Sequence, residues 1–397
     1  MKKMFRNTLL IAAILTAVQT VTTAQAIQIE KVNTIITAVP FLRIAPDART
    51  GAMGDVGIAI SPDAQSMWAN ASKIAFAEDD MSVAVTYTPW LRALALRDVY
   101  LAYLSGYYKL DDQQAIGLSL RYFDLGSIQF TNENGDPLIT ANPREYEITG
   151  SYARKLSDKF SGAVGLKFIY SRLAEGNFGN QNFKPGSAVG GDISMTYQDD
   201  MKVSGYDSRL RIGMALSNLG SRITYTDNSE NRDFIPTNLG IGGALEMDID
   251  EYNTLVFALD VNKLMVPTPD TIDVEQDGIL DYKQVGTVDG LFNSFGDAPG
   301  GGSEEFKELM FSVGFEYWYN KQFAVRAGYY YEAETKGNRQ FFTTGIGLKY
   351  NVFGIDISYL VPTTNINNPL NNTLRFTLVF DMAAFAPETV NASSFKY

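Results

Sequence analysis

Residues 310–319 read MFSVGFEYWY, and their order decides the fold. Phe311, Val313, Phe315, Tyr317 and Tyr319 share one parity, while Ser312, Gly314 and Glu316 share the other. A period of two is the period of a strand, whose successive side chains point to opposite faces. Residues 339–350 repeat the pattern, setting Phe342, Thr344, Ile346, Leu348 and Tyr350 against Thr343, Gly345, Gly347 and Lys349. The polar face carries glycine and charge, which suits a wet lumen better than a dry core. Segments of this kind, each roughly ten residues long, run from Met81 to Met382 between turn-forming clusters. An apolar face turned to lipid and a polar face turned inward define an all-β, antiparallel transmembrane β-barrel.

The beginning of the chain supports export. Lys2, Lys3 and Arg6 precede an apolar run from Leu9 to Val18, and Ala24-Gln25-Ala26 forms an A-x-A cleavage site. Residues 1–26 thus read as a secretory signal peptide. A transmembrane anchor needs about 20 apolar residues, and residues 19–25 are mostly polar. The chain has no Cys, which removes disulfides and a lipoprotein anchor. Net charge is -12; of its 33 basic residues three lie in the signal, leaving 30 against 45 acidic, or -15. Nucleic acid is therefore not an expected partner, whereas outer-membrane lipid is.

Alternation predicts fourteen strands, at 81–91, 99–110, 114–132, 144–156, 160–174, 187–200, 209–225, 237–248, 252–264, 308–320, 322–333, 339–350, 354–362 and 371–382. Short connections alternate with long ones rich in Asn, Asp, Gly and Pro, as in bacterial barrels with tight periplasmic turns and longer outer loops. This places both termini in the periplasm and the protein in the bacterial outer membrane. Residues 199–208 break the rule, being a long turn on the short-turn side. Residues 27–80 lack alternation and are too long for a leader, and a barrel this wide leaks unless filled, so they read as a plug inside the lumen. Residues 265–307 form the longest connection, a surface loop, and residues 383–397 a C-terminal tail.

Catalytic chemistry is sparse. Without His or Cys there is no imidazole-activated serine, no thiolate nucleophile and no common zinc site, so neither enzyme activity nor a cofactor is expected. Inward carboxylates such as Glu316 and Asp356 read as solvated or paired lumen groups. Asp273, Glu275, Asp277, Gly278, Leu280 and Asp281 fall in a calcium-loop spacing, but Gln284 stands where a bidentate Glu is needed, and an acidic surface loop competes with a calcium site.

Several motifs carry a resemblance: FLRIAPDAR at 41–49, GAMGD at 51–55, SPDA at 61–64, WANASK at 68–73, DAPGG at 297–301 before Glu304-Glu305, RAGY at 326–329 and KGNR at 336–339. Together they resemble the PorV family, outer-membrane components of the type IX secretion system within the group of long-chain fatty-acid-transporter-like barrels. The resemblance implies a fourteen-stranded barrel with an N-terminal plug, to which Arg43, Pro46, Asp47, Arg49, Met53, Gly54, Trp68 and Asn70 belong. Where the family usually has Asn-Pro after the tryptophan, Asn70 is followed by Ala71, which removes a fixed backbone angle. The family's role implies three partners: the giant translocon barrel, the C-terminal signal domains of cargo proteins, and the surface attachment complex containing the sortase PorU, to which cargo is shuttled.

The long loop supports a binding role on its own residues. Leu280, Tyr282, Val285, Val288, Leu291, Phe292, Phe295 and Phe306 lie among glycines and acids, and Asp297 and Pro299 belong to the DAPGG motif. Apolar groups rimmed by charge mark a partner site. The alternative is an outer-membrane transporter for hydrophobic small molecules, which requires an apolar lumen pocket and a pathway past the plug beside Trp68 and Phe76.

Overall fold

The computed structural model describes residues 32–92, 96–131, 134–178, 181–227, 232–270, 272, 274, 280–363 and 373–382. The signal segment, the C-terminal tail and most of the acidic stretch at 273–279 lie outside them. Eighteen strands follow in order: β1 Met81–Pro89, β2 Val99–Lys109, β3 Gln114–Leu125, β4 Ile128–Thr131, β5 Pro137–Ala141, β6 Arg144–Ser157, β7 Phe160–Arg172, β8 Gly176–Phe178, β9 Gln181–Phe183, β10 Gly186–Val203, β11 Tyr206–Gly220, β12 Asn238–Asp248, β13 Asn253–Leu264, β14 Met310–Tyr319, β15 Phe323–Tyr331, β16 Gln340–Tyr350, β17 Phe353–Pro362 and β18 Leu374–Asp381. Fourteen of them form one closed antiparallel barrel in chain order, with β1 pairing β18 to remove the free edges. The other four make two small hairpins, β4–β5 and β8–β9, in long connections. Among the described residues no helix is long and apolar enough to cross a membrane.

Burial follows the alternation. In β7 Val164, Leu166 and Phe168 are exposed while Ala163, Lys167 and Ile169 are buried, so the apolar residues face out and much of the polar set faces in. The fourteen expected strands all occur, with three adjustments of boundary. Residues 114–132 divide into β3 and the hairpin strand β4. Strand β11 begins at Tyr206 and ends at Gly220, where expectation ran from 209 to 225. Most informatively, the long turn expected at 199–208 is a two-residue hairpin. Strand β10 continues to Val203, which pairs with Tyr206 across Ser204 and Gly205. Both turn residues have positive φ, 53° and 93°, the backbone that matches the twist of a tight hairpin. The polar residues Gln198, Asp199, Asp200 and Lys202 concealed these strand ends.

Outward aromatic rings band the barrel toward the long-loop end. Tyr87, Tyr100 and Tyr122 follow one another across β1, β2 and β3 with centroids 5.7 and 6.1 Å apart. Tyr146 stacks on Tyr170 at 5.0 Å across β6 and β7, and Tyr329 meets Phe342 at 4.8 Å across β15 and β16. Such rings hold a barrel at the level of the lipid headgroups.

Residues 33–80 pack against the inward face of the barrel. They form four short turns of helix, at Pro40–Arg43, Ala48–Ala52, Ser66–Ala69 and Ala71–Phe76. Inward glycines on the strands are seats for this segment. A Cβ at Gly314 would come 2.8 Å from Met53 O, and one at Gly345 2.5 Å from Ala52 Cβ. At Gly213 it would come 2.7 Å from Ile58 O, and at Gly328 it would collide with the backbone of Met53 and Gly54. The glycine-rich inner face therefore serves close backbone approach, where the sequence reading took it as a sign of open water. Met53, Val56, Ala59 and Ile60 join Ala244 and Ala258 in a small buried apolar cluster.

The segment also runs from one end of the barrel to the other. Asn33 N–H donates to Thr335 O in the β15–β16 connection at the long-loop end, whereas Asp80 O accepts from Lys109 N–H at the tight-turn end. The end of β18 at Asp381 lies on the tight-turn side, where its N–H bonds Val352 O. The described segment thus begins at the long-loop end and crosses the lumen before entering β1.

Candidate functional site

Ionic contacts fix the middle of the N-terminal segment. Asp47 caps the helix Ala48–Ala52 by accepting from Thr50 N–H at 2.8 Å, and that turn presents Arg49 to the barrel wall. Arg49 donates Nε and Nη2 to the two oxygens of Glu316 on β14, at 3.0 and 2.8 Å. Its Nη1 reaches Asp63 at 2.8 Å. Glu316 also accepts from Arg326 of β15 at 2.5 Å, and Arg326 donates to Asp356 of β17 at 2.6 Å. Glu316 and Asp356 are thus paired, one of the two states their inward position allowed. Pairing is required here, since Glu316 is fully buried and an unpaired buried charge is costly.

A second set of contacts joins the segment to the wall through residues whose pairing the sequence does not show. Asp260 of β13 accepts from Gly57 N–H and Ile58 N–H at 2.7 and 3.0 Å, while Lys73 donates to Gly57 O at 2.6 Å. Thr343 of β16 accepts from Gly54 N–H and donates to Ala52 O. Their signal in the sequence was a polar residue at inward parity, which alternation alone does not match to a partner. Asn70 accepts from Ser72 N–H at 3.0 Å and donates to Ile58 O and Thr196 Oγ1, so the turn at Asn70-Ala71 is held by side-chain bonds. Burial, with Asp63 nearby, pushes the Asp47 carboxyl up to about 6, and burial pulls the Lys73 ammonium down to about 8.

The eight residues assigned to the plug by resemblance are brought together around these contacts. Arg43 pairs with Glu332 at 2.9 Å, and Pro46, Asp47, Arg49 and Met53 are buried. Gly54 adopts φ 69° against the backbone of Tyr329, and the Trp68 indole donates to Leu42 O at 3.4 Å. Burial favours a neutral Glu332, but Arg339 and Arg43 outweigh it and hold the carboxyl below its ordinary range.

The long loop is divided in its placement. Among its described residues are three short helices, Asp281–Gln284, Thr287–Asn293 and Gly302–Lys307. Glu308 accepts from Lys263 Nζ at 2.5 Å, Thr268 Oγ1 at 2.7 Å and Lys336 Nζ at 2.9 Å, which ties the loop to β13 and to the β15–β16 connection. Asp297 accepts from Thr268 N–H and so works inside the loop. Leu280, Tyr282, Val285 and Leu291 are half-buried, Pro299 is exposed, and Phe292, Phe295 and Phe306 are 68%, 56% and 64% exposed. Phe306 lies 6.1 Å from the outward ring of Phe311, at the barrel's outer wall. Of the calcium-loop positions, 273, 275, 277 and 278 lie outside the described residues.

Two cavities flank the segment. A vestibule of about 930 Å³ at the tight-turn end is lined by Arg49, Asp63, Arg211, Glu316 and Arg326, among others. A smaller cavity of about 80 Å³ is lined by Trp68, Arg121, Lys167, Asn218 and Asp260, among others. Phe76 lines the first and Trp68 the second, so the two rings proposed to flank a pathway face different spaces with charged walls.

A closed fourteen-stranded antiparallel barrel with an apolar exterior and an N-terminal segment bound to its inner wall is the build of an outer-membrane β-barrel protein. The family described as type IX secretion system protein PorV matches residues 27–271, more than half of the chain, and the chain belongs to that family. Among solved structures it is similar to a TodX deltaS2S3 mutant monoaromatic hydrocarbon channel, at TM-score 0.50 and 13% identity over 84% of this chain and 97% of that one. It is also similar to the Ralstonia pickettii toluene transporter TbuX, at TM-score 0.49 and 11% identity over 85% and 97%. No curated protein matches the chain. Family membership associates the chain with the type IX secretion system, and the solved structures share its barrel fold.

Proposed function

We propose that this protein is a plugged barrel that receives the C-terminal signal domain of cargo at the translocon and carries it to the surface attachment complex. The observation that carries the reading is the contrast between lumen and loop. Inside, charged groups hold residues 33–80 against the wall, and both flanking cavities have charged linings, which disfavours passage of hydrophobic small molecules. Outside, Val288, Phe292 and Phe295 are exposed on a loop whose base is clamped by Glu308. In this reading the long loops face the cell exterior, residues 33–80 seal the lumen, and the loop's apolar groups meet the translocon or its cargo.

The test is the double variant Phe292→Ser with Phe295→Ser, expressed in place of the parent. Both side chains are exposed, so the barrel should fold and keep its heat-modifiable migration in gels, while surface attachment of cargo falls at least about tenfold, the loss typical of an interface anchor. Undiminished attachment would sink the reading.

A further inference from the structure

The barrel is held least where its two ends meet. Among the described residues β1 and β18 pair over six positions, from Ser82 with Asp381 to Tyr87 with Phe376, and β17 and β18 over seven. Every other neighbouring pair of barrel strands runs nine positions or more. Strand β18 thus has the two shortest ladders in the barrel. Its inward side also borders the charged vestibule, which Val379 and Asp381 help to line. Backbone groups freed there can turn to water, whereas groups freed toward lipid cannot.

What these ladders lack is supplied from inside. Thr377 of β18 is fully buried, accepts from Ala48 N–H at 2.9 Å and lies 2.7 Å from Thr86 Oγ1 of β1. Ala48 opens the helix Ala48–Ala52, and its N–H is one of the first-turn donors that find no partner within a helix. One hydroxyl therefore joins β18, β1 and the N-terminal segment. Two positions away Arg375 is also buried, and its guanidinium lies on Gly51, where a Cβ would come 2.5 Å from Nη1. The carboxylate that faces it is Asp55 of the same segment, at 3.8 Å. If the segment leaves, a buried charge on β18 loses that partner, which is a costly state.

The rest of the segment grips the strands on the far side of the seam. Ser161 Oγ of β7 donates to Ser72 O at 2.8 Å, and Ser72 Oγ lies 2.7 Å from Thr196 Oγ1 of β10. Met67, Ile74 and Ala75 pack with Tyr107 of β2, Ala115 of β3 and Ala163 of β7. Residues 47–55 thus hold the last strands of the barrel and residues 66–76 the early ones, with the seam between the two grips.

We infer that residues 47–76 are a clasp that holds the β1–β18 seam closed, so that segment binding and seam pairing form one coupled equilibrium. Coupling of this kind is reciprocal: whatever displaces the segment loosens the seam, and whatever locks the seam tightens the segment. The longer ladders, remote from Thr377 and Arg375, keep their pairing without the clasp. A partner that draws residues 47–55 away from β18 would therefore part the wall at one place and leave the rest of the barrel folded.

Gly328→Ala and Arg49→Ala should displace the segment from β15 and β14, strands that do not touch the seam. Hydrogen exchange, read by mass spectrometry on the full chain in lipid nanodiscs, should then quicken about tenfold over residues 81–89 and 374–381 and stay unchanged over β7, residues 160–172. Faster protease cleavage within residues 33–80 with no change at the seam would overturn the inference, as would a rise of equal size over β7. Val85→Cys with Leu378→Cys tests the reverse direction, since these outward residues face each other across the seam and the chain has no Cys. Oxidising this pair in the Arg49→Ala background should slow cleavage of the segment about fivefold, and equal cleavage of the oxidised and reduced forms would refute the coupling. Where neither alanine variant assembles or loosens the segment, Asp55→Asn takes their place, because it removes the countercharge of Arg375. Unchanged exchange at the seam in that variant would overturn the inference outright.

Discussion

Arg49 and Glu316 meet as a two-pronged pair, Nε to Oε2 at 3.0 Å and Nη2 to Oε1 at 2.8 Å, joining the N-terminal segment to strand β14 across 267 positions of sequence. A carboxylate so buried is tolerable because two guanidinium groups satisfy it, and the planar fork of each fixes its direction as well as its charge. The pair therefore sets the register of the segment against the barrel.

Arg49→Ala should loosen the segment without unfolding the barrel. Removing one partner of a buried pair costs about 3–5 kcal/mol, and here Arg326 still faces Glu316, so the lower figure is expected. Protease added at the tight-turn side should then cleave within residues 33–80, and conductance in planar bilayers should rise. Arg49→Lys, which keeps charge but not the fork, should fall between the two. Unchanged protease resistance in Arg49→Ala would show that the pair does not hold the segment.

A methyl group should do the same at a glycine seat. In Gly328→Ala the new carbon would meet the backbone of Met53 and Gly54, which cannot move aside as a side-chain tip could. Gly150→Ala, where nothing lies within 4 Å, is the control. The first variant should become protease-sensitive in the segment and the second should not, with both barrels retaining heat-modifiable migration.

These seats mark where sequence reading stopped. Strand parity was legible because it is local: one face of MFSVGFEYWY meets lipid, and no distant residue is needed to see it. The two-residue hairpin at Ser204-Gly205 was hidden because Gln198, Asp199, Asp200 and Lys202 put polar residues on both faces, so alternation ended before the strand did. Gly314 and Gly345 were seen on the inward face, yet whether an inward glycine meets water or Met53 depends on a segment some 260 to 290 positions away. For the same reason Glu316 was legible as an inward carboxylate and Arg49 as a residue of the segment, but not as partners. The loop's helices were missed because each is only four to seven residues long, too short for a helical period to show.

Stability should depend on pH through Asp47. Its carboxyl is held at about 6 in the folded chain against an ordinary 3.8, so the folded state keeps a proton that the unfolded state releases between those values. Stability from this group is complete below about 3.8 and is lost as pH rises through 6, up to about 3 kcal/mol in all. Asp47→Asn copies the protonated form and can still cap the helix. Segment release measured by protease should therefore be easier at pH 8 than at pH 5 in the parent, and the difference should be smaller in the variant, where Lys73 still titrates near 8. A parent with no such difference would place the Asp47 carboxyl back in its ordinary range.

Glu308 should control the loop rather than the barrel. One buried carboxylate receives Lys263, Lys336 and Thr268, which come from β13, the β15–β16 connection and the start of the loop. Glu308→Ala removes the carboxylate that two ammonium groups share; each keeps a second one, so the cost falls at the low end for a buried pair, about 3 kcal/mol. Lys336 retains Glu304 at 2.6 Å and Lys263 retains Glu305 at 3.0 Å, so the base of the loop is loosened rather than freed, and the strands keep their ladders. Protease should then cut between residues 280 and 307 in membranes where the parent is resistant, with no change in heat-modifiable migration. Because Phe292 and Phe295 are presented by the same loop, cargo attachment should fall together with protease resistance. Glu308→Gln, which keeps the shape and an acceptor oxygen for Thr268 while losing the charge, should fall between the alanine variant and the parent.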